Sequence, residues 1–153
     1  MTISVYRRAQ VYTALWWIVP AASLLSLLPQ LLAPHDARMP VATMLLVAGS
    51  GLAALLLLGR LVVQLDDQGL SWRYGFLGWP RWRVALSDIA AVEKHRLTGI
   101  SSGIRRTREG REYTAGGRHA VRLTLRDGRR IVLGSEDAER LAAMIASRLP
   151  VSR

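Results

Sequence analysis

LDDQGLSWRYGFLGWPRWRVALSDIAAVE, residues 65–93, is the stretch whose reading decides the fold. Leu70, Trp72, Tyr74 and Phe76 alternate with Ser71, Arg73 and Gly75, and Trp82, Val84 and Leu86 alternate with Arg81, Arg83 and Ala85. A period of two, with large apolar residues on one side only, predicts half-buried antiparallel strands. Asp66-Asp67-Gln68-Gly69 before the first run and Leu77-Gly78-Trp79-Pro80 between the two supply the turns.

Toward the C-terminus the same period returns. Val121, Leu123 and Leu125 alternate with Arg122, Thr124 and Arg126, and Asp127-Gly128 marks a hairpin before Arg129-Arg130-Ile131-Val132-Leu133. A two-residue loop would set Leu123 opposite Val132 and leave Leu125 facing Arg130. A three-residue loop, Arg126 to Gly128 with a left-handed glycine, instead pairs Leu123 with Ile131 and Val121 with Leu133. The second register is preferred, because a one-residue slip moves a whole apolar set to the wrong face. A helix is then expected from about Glu136 to Leu149, with Ala138, Leu141, Ala142, Ile145 and Leu149 as its apolar stripe. Ser135 is the expected N-cap, Glu136, Asp137 and Glu139 suit the positive end of the helix dipole, and Arg148 suits the negative end. The stripe is expected to cover the open end of a bent sheet.

Toward the N-terminus the pattern is unlike either of these. AQVYTALWWIVPAASLLSLLPQLLA, from Ala9 to Ala33, carries no charged side chain and as a helix would reach about 37 Å. MPVATMLLVAGSGLAALLLLG, from Met39 to Gly59, would reach about 31 Å. Each is enough for a hydrocarbon core of about 30 Å. The connection Pro34-His35-Asp36-Ala37-Arg38 fits only an antiparallel helical hairpin. Pro20 and Pro29 are expected to kink the first helix, which a bilayer tolerates when neighbours satisfy the freed carbonyls. A cleaved signal peptide is the rival reading of the first segment, but the apolar stretch exceeds the ordinary h-region and no A-x-A site ends it. Arg7 and Arg8 before the first span and Arg60 after the second outweigh Arg38 with its neighbour Asp36, so both termini are expected in the cytoplasm. Small residues in the spans would let helices approach closely, within the hairpin or between copies through Gly49-x-x-x-Ala53. The expected division is a transmembrane hairpin over 1–60 and a β domain over 61–153.

The 153 residues carry a net charge of +10, but Lys94 is the only lysine among 21 basic residues. That bias resembles a GC-rich codon supply as much as a selected phosphate-binding surface. The absence of cysteine excludes disulfides, thiol chemistry and thiolate metal sites.

The string over 65–93, a glycine-rich stretch, and GRHAVRLTLRDGRRIVLGSEDAERLAAMI over 117–145 together resemble bacterial pleckstrin-homology domains carried behind membrane hairpins. The resemblance covers about residues 61–149 and rests on Leu86-Ser87-Asp88-Ile89 with Val92, and on the Asp127-Gly128 strand pair running into the last helix. It implies a membrane-anchored α+β protein. The β part would be a strongly bent antiparallel sheet or barrel of about seven strands, capped by a C-terminal helix. These motifs identify a fold rather than an activity.

No catalytic constellation is legible. His35, His95 and His119 lie in separate regions; Gly49-Ser50-Gly51 lies inside a span, without the setting of a nucleophile elbow. Asp66 and Asp67 are explained by their turn. Gly99 to Gly103 and Gly116-Gly117 lack the ending of a phosphate-cradling loop. No metal or cofactor is expected. The densest basic run, Arg105-Arg106-Thr107-Arg108-Glu109-Gly110-Arg111, reads as a loop, and each arginine held at an anionic bilayer would contribute about 1 kcal/mol. Candidate contacts for anionic lipid or a partner are Arg81, Arg83, Arg105, Arg106, Arg108 and Arg111, with Trp79 and Trp82 as interfacial neighbours, Trp82 also fitting the core. Phosphoinositide binding is not carried over, because Asp66 and Asp67 occupy the loop where such relatives place basic residues. The resulting expectation is a non-enzymatic module of the bacterial inner membrane, whose β domain binds a protein partner or the anionic membrane surface. A structural subunit of a homo-oligomer is the alternative, and a membrane enzyme accessory comes third. No nucleic acid is expected, because no aromatic residues interleave the basic run.

Overall fold

The computed structural model describes residues 6–34, 40–98 and 102–149. The architecture is α+β: two apolar helices, two open sheets, and a third, amphipathic helix.

The two long helices are α1, Thr13–Leu32, and α2, Val41–Leu58. Each is long and apolar enough to cross a membrane, and Leu55 is the one residue of the two helices' apolar windows that is fully buried within the chain. They pack as an antiparallel pair along Leu15, Val19, Ser23 and Leu27 of α1, the half-buried positions four apart. Gly51 sits on this seam, where a Cβ would meet Ser23 Oγ at 2.9 Å and Val19 Cγ1 at 3.1 Å. Gly49 is open, so the face bearing Gly49 and Ala53 is not used within the hairpin. Pro20 and Pro29 lie inside α1. His35 to Arg38, expected to complete the hairpin connection, and Gly99, expected to open the glycine-rich stretch, lie outside the described residues.

The N-terminal boundary of the first span differs from expectation. Ala9, Gln10 and Val11 belong to a strand, β1, Tyr6–Val11, which pairs antiparallel along its whole length with β2, Arg60–Leu65, from Tyr6↔Leu65 to Val11↔Arg60. The β unit therefore recruits residues from both sides of the helical hairpin rather than starting at Leu61. Gln10 is buried and its side-chain amide donates to the carbonyl of Gly134 at 3.3 Å. The backbone N–H of Tyr12 donates to Gly59 O at 3.1 Å, so the last peptide before α1 and the first after α2 are joined.

The first sheet runs in the order β1-β2-β3-β4, with β3, Gly69–Tyr74, and β4, Arg81–Ala85. The expected turn at Asp66 is present: its carboxylate accepts from the backbone N–H of Gln68 at 3.0 Å and of Gly69 at 2.8 Å. Leu70, Trp72 and Tyr74 are buried as the alternation requires, whereas Phe76 falls beyond the strand and is 47% exposed. A 3-10 turn, Leu86–Asp88, leads into the second sheet. This contains β5, Ile89–Arg96; β6, Ser102–Thr107; β7, Gly110–Ala115; β8, His119–Leu125; and β9, Arg130–Gly134, in the order β5-β8-β9-β7-β6. The β8–β9 register is Val121↔Leu133 and Leu123↔Ile131, with Gly128 at φ +85°, as the three-residue loop predicts. Among the described residues nine strands in two open sheets, with β7 and β9 parallel, replace the expected single antiparallel sheet of about seven.

Helix α3, Ala138–Ala146, is shorter than the expected span and begins after Asp137, not Ser135. Ser135 is buried and its hydroxyl caps nothing. The stripe is placed as expected: α3 packs on β5 and β8, and Ala138, Leu141 and Ile145 are buried in one core with Leu61, Val63, Leu65, Val121, Leu123 and Leu133.

Candidate functional site

Trp72 and Trp82 are cross-strand partners on β3 and β4, so their side chains leave the sheet on the same side. Their rings stack with centroids 6.4 Å apart, and Tyr113 of β7 closes the group at 5.2 Å from Trp72 and 4.8 Å from Trp82. Trp82 is only half-buried because this aromatic group forms the floor of an open cleft of about 660 Å³. The cleft lies between β4, the β6–β7 hairpin and the β8–β9 turn. That turn is at the end of β8 and β9 opposite Gly134, where Gln10 docks.

Six arginines rim the cleft: Arg83, Arg106, Arg108, Arg111, Arg129 and Arg130. Its two acidic residues are Asp88 and Glu109. Glu109 is engaged by His95 at 3.0 Å and Arg122 at 3.5 Å. Arg83 is held by both oxygens of Asp66 at 3.0 Å, and Arg129 by Asp127 at 2.6 Å. Among the described residues, Arg106, Arg108, Arg111 and Arg130 form no ion pair. Arg106 and Arg111 are direct cross-strand partners, an arrangement of like charges that is destabilising unless an anion lies between them.

The run Arg105 to Arg111, expected as a loop, is a hairpin: β6 ends at Thr107 and β7 begins at Gly110. Period-two geometry divides its arginines. Arg105 points to the face opposite Arg106 and pairs with the buried Glu112 at 3.3 Å, so it is no part of the cleft. Arg106 and Arg111 point toward the aromatic floor, and Arg108 sits at the hairpin tip. Arg81 lies on the outer face of β4 opposite Arg73, outside this cleft. The structure thus brings together Arg106, Arg108 and Arg111 and separates Arg105 and Arg81 from them; Arg83, two residues from Arg81 on the same outer face of β4 and held there by Asp66, reaches only the edge of the cleft. Sequence reasoning missed Arg129 and Arg130, whose only signal was their position beside a hairpin turn.

The outer face of the second sheet carries a charge network of different character. Arg122 on β8 donates to Glu93 on β5 at 3.0 Å and holds that carboxyl below the usual range. Asp127 is held low by the backbone N–H and side chain of Arg129. Inside, burial pushes the Tyr74 hydroxyl well up; it is shared between the carbonyls of Gly103 and Thr114, each at 2.9 Å. Tyr74 therefore stays neutral and serves as a fastener between the two sheets. Among the described residues no three His, Asp or Glu side chains are grouped to hold a metal ion. No family model matches the chain, and no curated protein matches it either.

Proposed function

We propose that the chain is a non-enzymatic, membrane-tethered, pleckstrin-homology-like module of a bacterial inner membrane, holding an acidic segment of a partner protein in the arginine-rimmed cleft. The observation that carries this reading is the group of arginines that form no ion pair among the described residues, Arg106, Arg108, Arg111 and Arg130, around the half-buried ring of Trp82. Carboxylates there would relieve the Arg106–Arg111 repulsion and form charge-assisted hydrogen bonds, each worth about 1.5–3 kcal/mol before solvent screening. The accessible part of the Trp82 ring, backed by the buried Trp72 and Tyr113, would hold the apolar part of the same segment.

The tether is supported by the two bare apolar helices and by the Val11↔Arg60 pairing, which returns the chain to the side it left. Arg7, Arg8 and Arg60 lie on that side together with the β unit, the arrangement of a cytoplasmic face. The test uses the full chain in nanodiscs of zwitterionic lipid and a fluorescein-labelled peptide rich in glutamate and containing one aromatic residue. Anisotropy should report binding that weakens as salt rises and falls at least tenfold in R106E/R111E. Equal affinity in the variant, or equal affinity for a neutral peptide, would overturn the cleft as the binding site.

A further inference from the structure

We infer that the β3–β4 turn, Phe76 to Pro80, is a third membrane-contacting element that sits in the bilayer interface beside the end of α2. The inference rests on the reading of α1 and α2 as spans. Phe76-Leu77-Gly78-Trp79-Pro80 contains no charge, and it is exposed where a soluble loop would be polar: Leu77 is 76%, Trp79 66% and Phe76 47% accessible.

Its position follows from backbone contacts. The N–H of Phe76 donates to the carbonyl of Leu56 at 2.9 Å, and the N–H of Gly75 donates to the carbonyl of Arg60 at 2.7 Å. Gly75, at φ +71°, is in the left-handed region, and a Cβ there would strike the carbonyl oxygens of Leu56 and Leu57. Only glycine lets the turn press this closely on the helix. The turn is therefore fastened to α2 two residues before the helix ends. The 18 residues of α2 rise about 27 Å, less than the roughly 30 Å of a hydrocarbon core. A spanning α2 then has its last turn at or inside the hydrocarbon boundary, and the β3–β4 turn is drawn to the same depth.

The chemistry suits that depth. The last carbonyls of a helix have no partner inside it, and one left bare in lipid costs several kcal/mol. Phe76 and Gly59 supply N–H donors to Leu56 and Leu55, which satisfies two of the last four carbonyls of α2 without water. Trp16, in the first turn of α1, meets Phe76 edge-on at 5.8 Å, which ties both helices to the turn. Arg60 lies over the Phe76 ring at 5.7 Å, and Arg73 and Arg81 stand opposite each other where the strands leave the turn. Tryptophan and leucine below a row of arginines is the order of side chains that an interface of acyl chains and phosphates selects. Arg81 then serves the bilayer surface, while the cleft arginines serve the partner.

The chain has no cysteine, so single labels can be placed without background. L77C, L24C and R108C, each carrying the fluorophore NBD, are reconstituted as full chains in vesicles with nitroxide lipids. L24C, 64% exposed in the middle of α1, reports the span. L77C should show blue-shifted emission and a several-fold loss of intensity with a shallow nitroxide, while R108C stays unquenched. Quenching of L24C with L77C indistinguishable from R108C would overturn the turn's role and leave the spans standing. L24C as unquenched as R108C would remove the membrane reading and this inference together.

Discussion

Helices α2 and α3 are built from the same residue types, leucine, alanine and methionine, and solve opposite problems. In α3 the apolar residues recur on one side, so Ala138, Leu141 and Ile145 disappear into the core while Glu139 and Arg140 stay in water. In α2 they run all round, Leu55 alone is buried, and Leu45, Leu46 and Leu52 are 59–72% exposed. Burying an apolar side chain is worth about 1.5–3 kcal/mol whichever surface covers it. For α3 the cover is the chain's own sheet; for α2 one seam lies against α1, and among the described residues nothing covers the rest. The arrangement of apolar residues, more than their number, therefore tells which solvent a helix is built for.

The sharpest way to break this contrast is to place the same charge on both helices. L141D would bury a carboxylate with no partner, costing about 3–5 kcal/mol, a large part of the 5–15 kcal/mol that holds a domain together. The cooperative thermal transition of the detergent-solubilised chain, followed by circular dichroism, should be lost. L46D should leave that transition in place and instead lower membrane insertion by about 2.5–3.5 kcal/mol, read in a glycosylation-reporter assay. Unfolding of the β unit by L46D would mean that α2 belongs to a packed core after all.

Asp66 offers a smaller effect within the β unit. D66N weakens acceptance of two backbone amides and the contact with Arg83, and should cost about 1–2 kcal/mol. R83A should cost less, because the arginine side chain is half exposed and its charge is screened. Melting curves of the two single variants and the double variant separate the turn from the ion pair. Equal losses in both would show that the amide contacts contribute nothing.

The smallest effect is in acid. Glu93 and Asp127 titrate below their unfolded values, near 4, in the folded chain. Their contribution is complete above those values and is lost as pH falls through the lower folded ones. Both side chains are exposed to solvent, so a denaturant midpoint should move only slightly between neutral pH and pH values below about 4, and less in high salt. A midpoint unchanged in low salt would show that neither contact adds stability.

How much the sequence revealed depended on whether one face of an element was apolar. The β8–β9 hairpin was legible to the residue, because only one register keeps Val121, Leu123, Ile131 and Leu133 together. β1 was not, because its buried residues are only Tyr6 and the polar Gln10, with Arg7 and Arg8 between them, and its exposed Ala9 and Val11 run on without a break into the apolar sequence of α1. The β6–β7 hairpin was hidden for a related reason: Arg105, Arg106, Arg111 and Glu112 put charge on both of its faces, and only the burial of Glu112 beside Arg105 separates them. Individual cleft residues were visible as arginines, but the cleft itself is made by four segments meeting around Trp82 and could not be read from any one of them.

The pairing of Val11 with Arg60 also has a consequence for biosynthesis. β1 is translated first, yet its neighbour in the sheet emerges only after both helices have left the ribosome. If α1 and α2 span a bilayer as proposed, failure of one to insert would strand Val11 and Arg60 on opposite sides of it and leave β1 no strand to join. On that reading, completion of the sheet would act as a proofreading step on topology: a wrongly threaded chain would keep an open edge on β2 and leave Gly134 without Gln10, the kind of exposed strand that invites pairing with another chain.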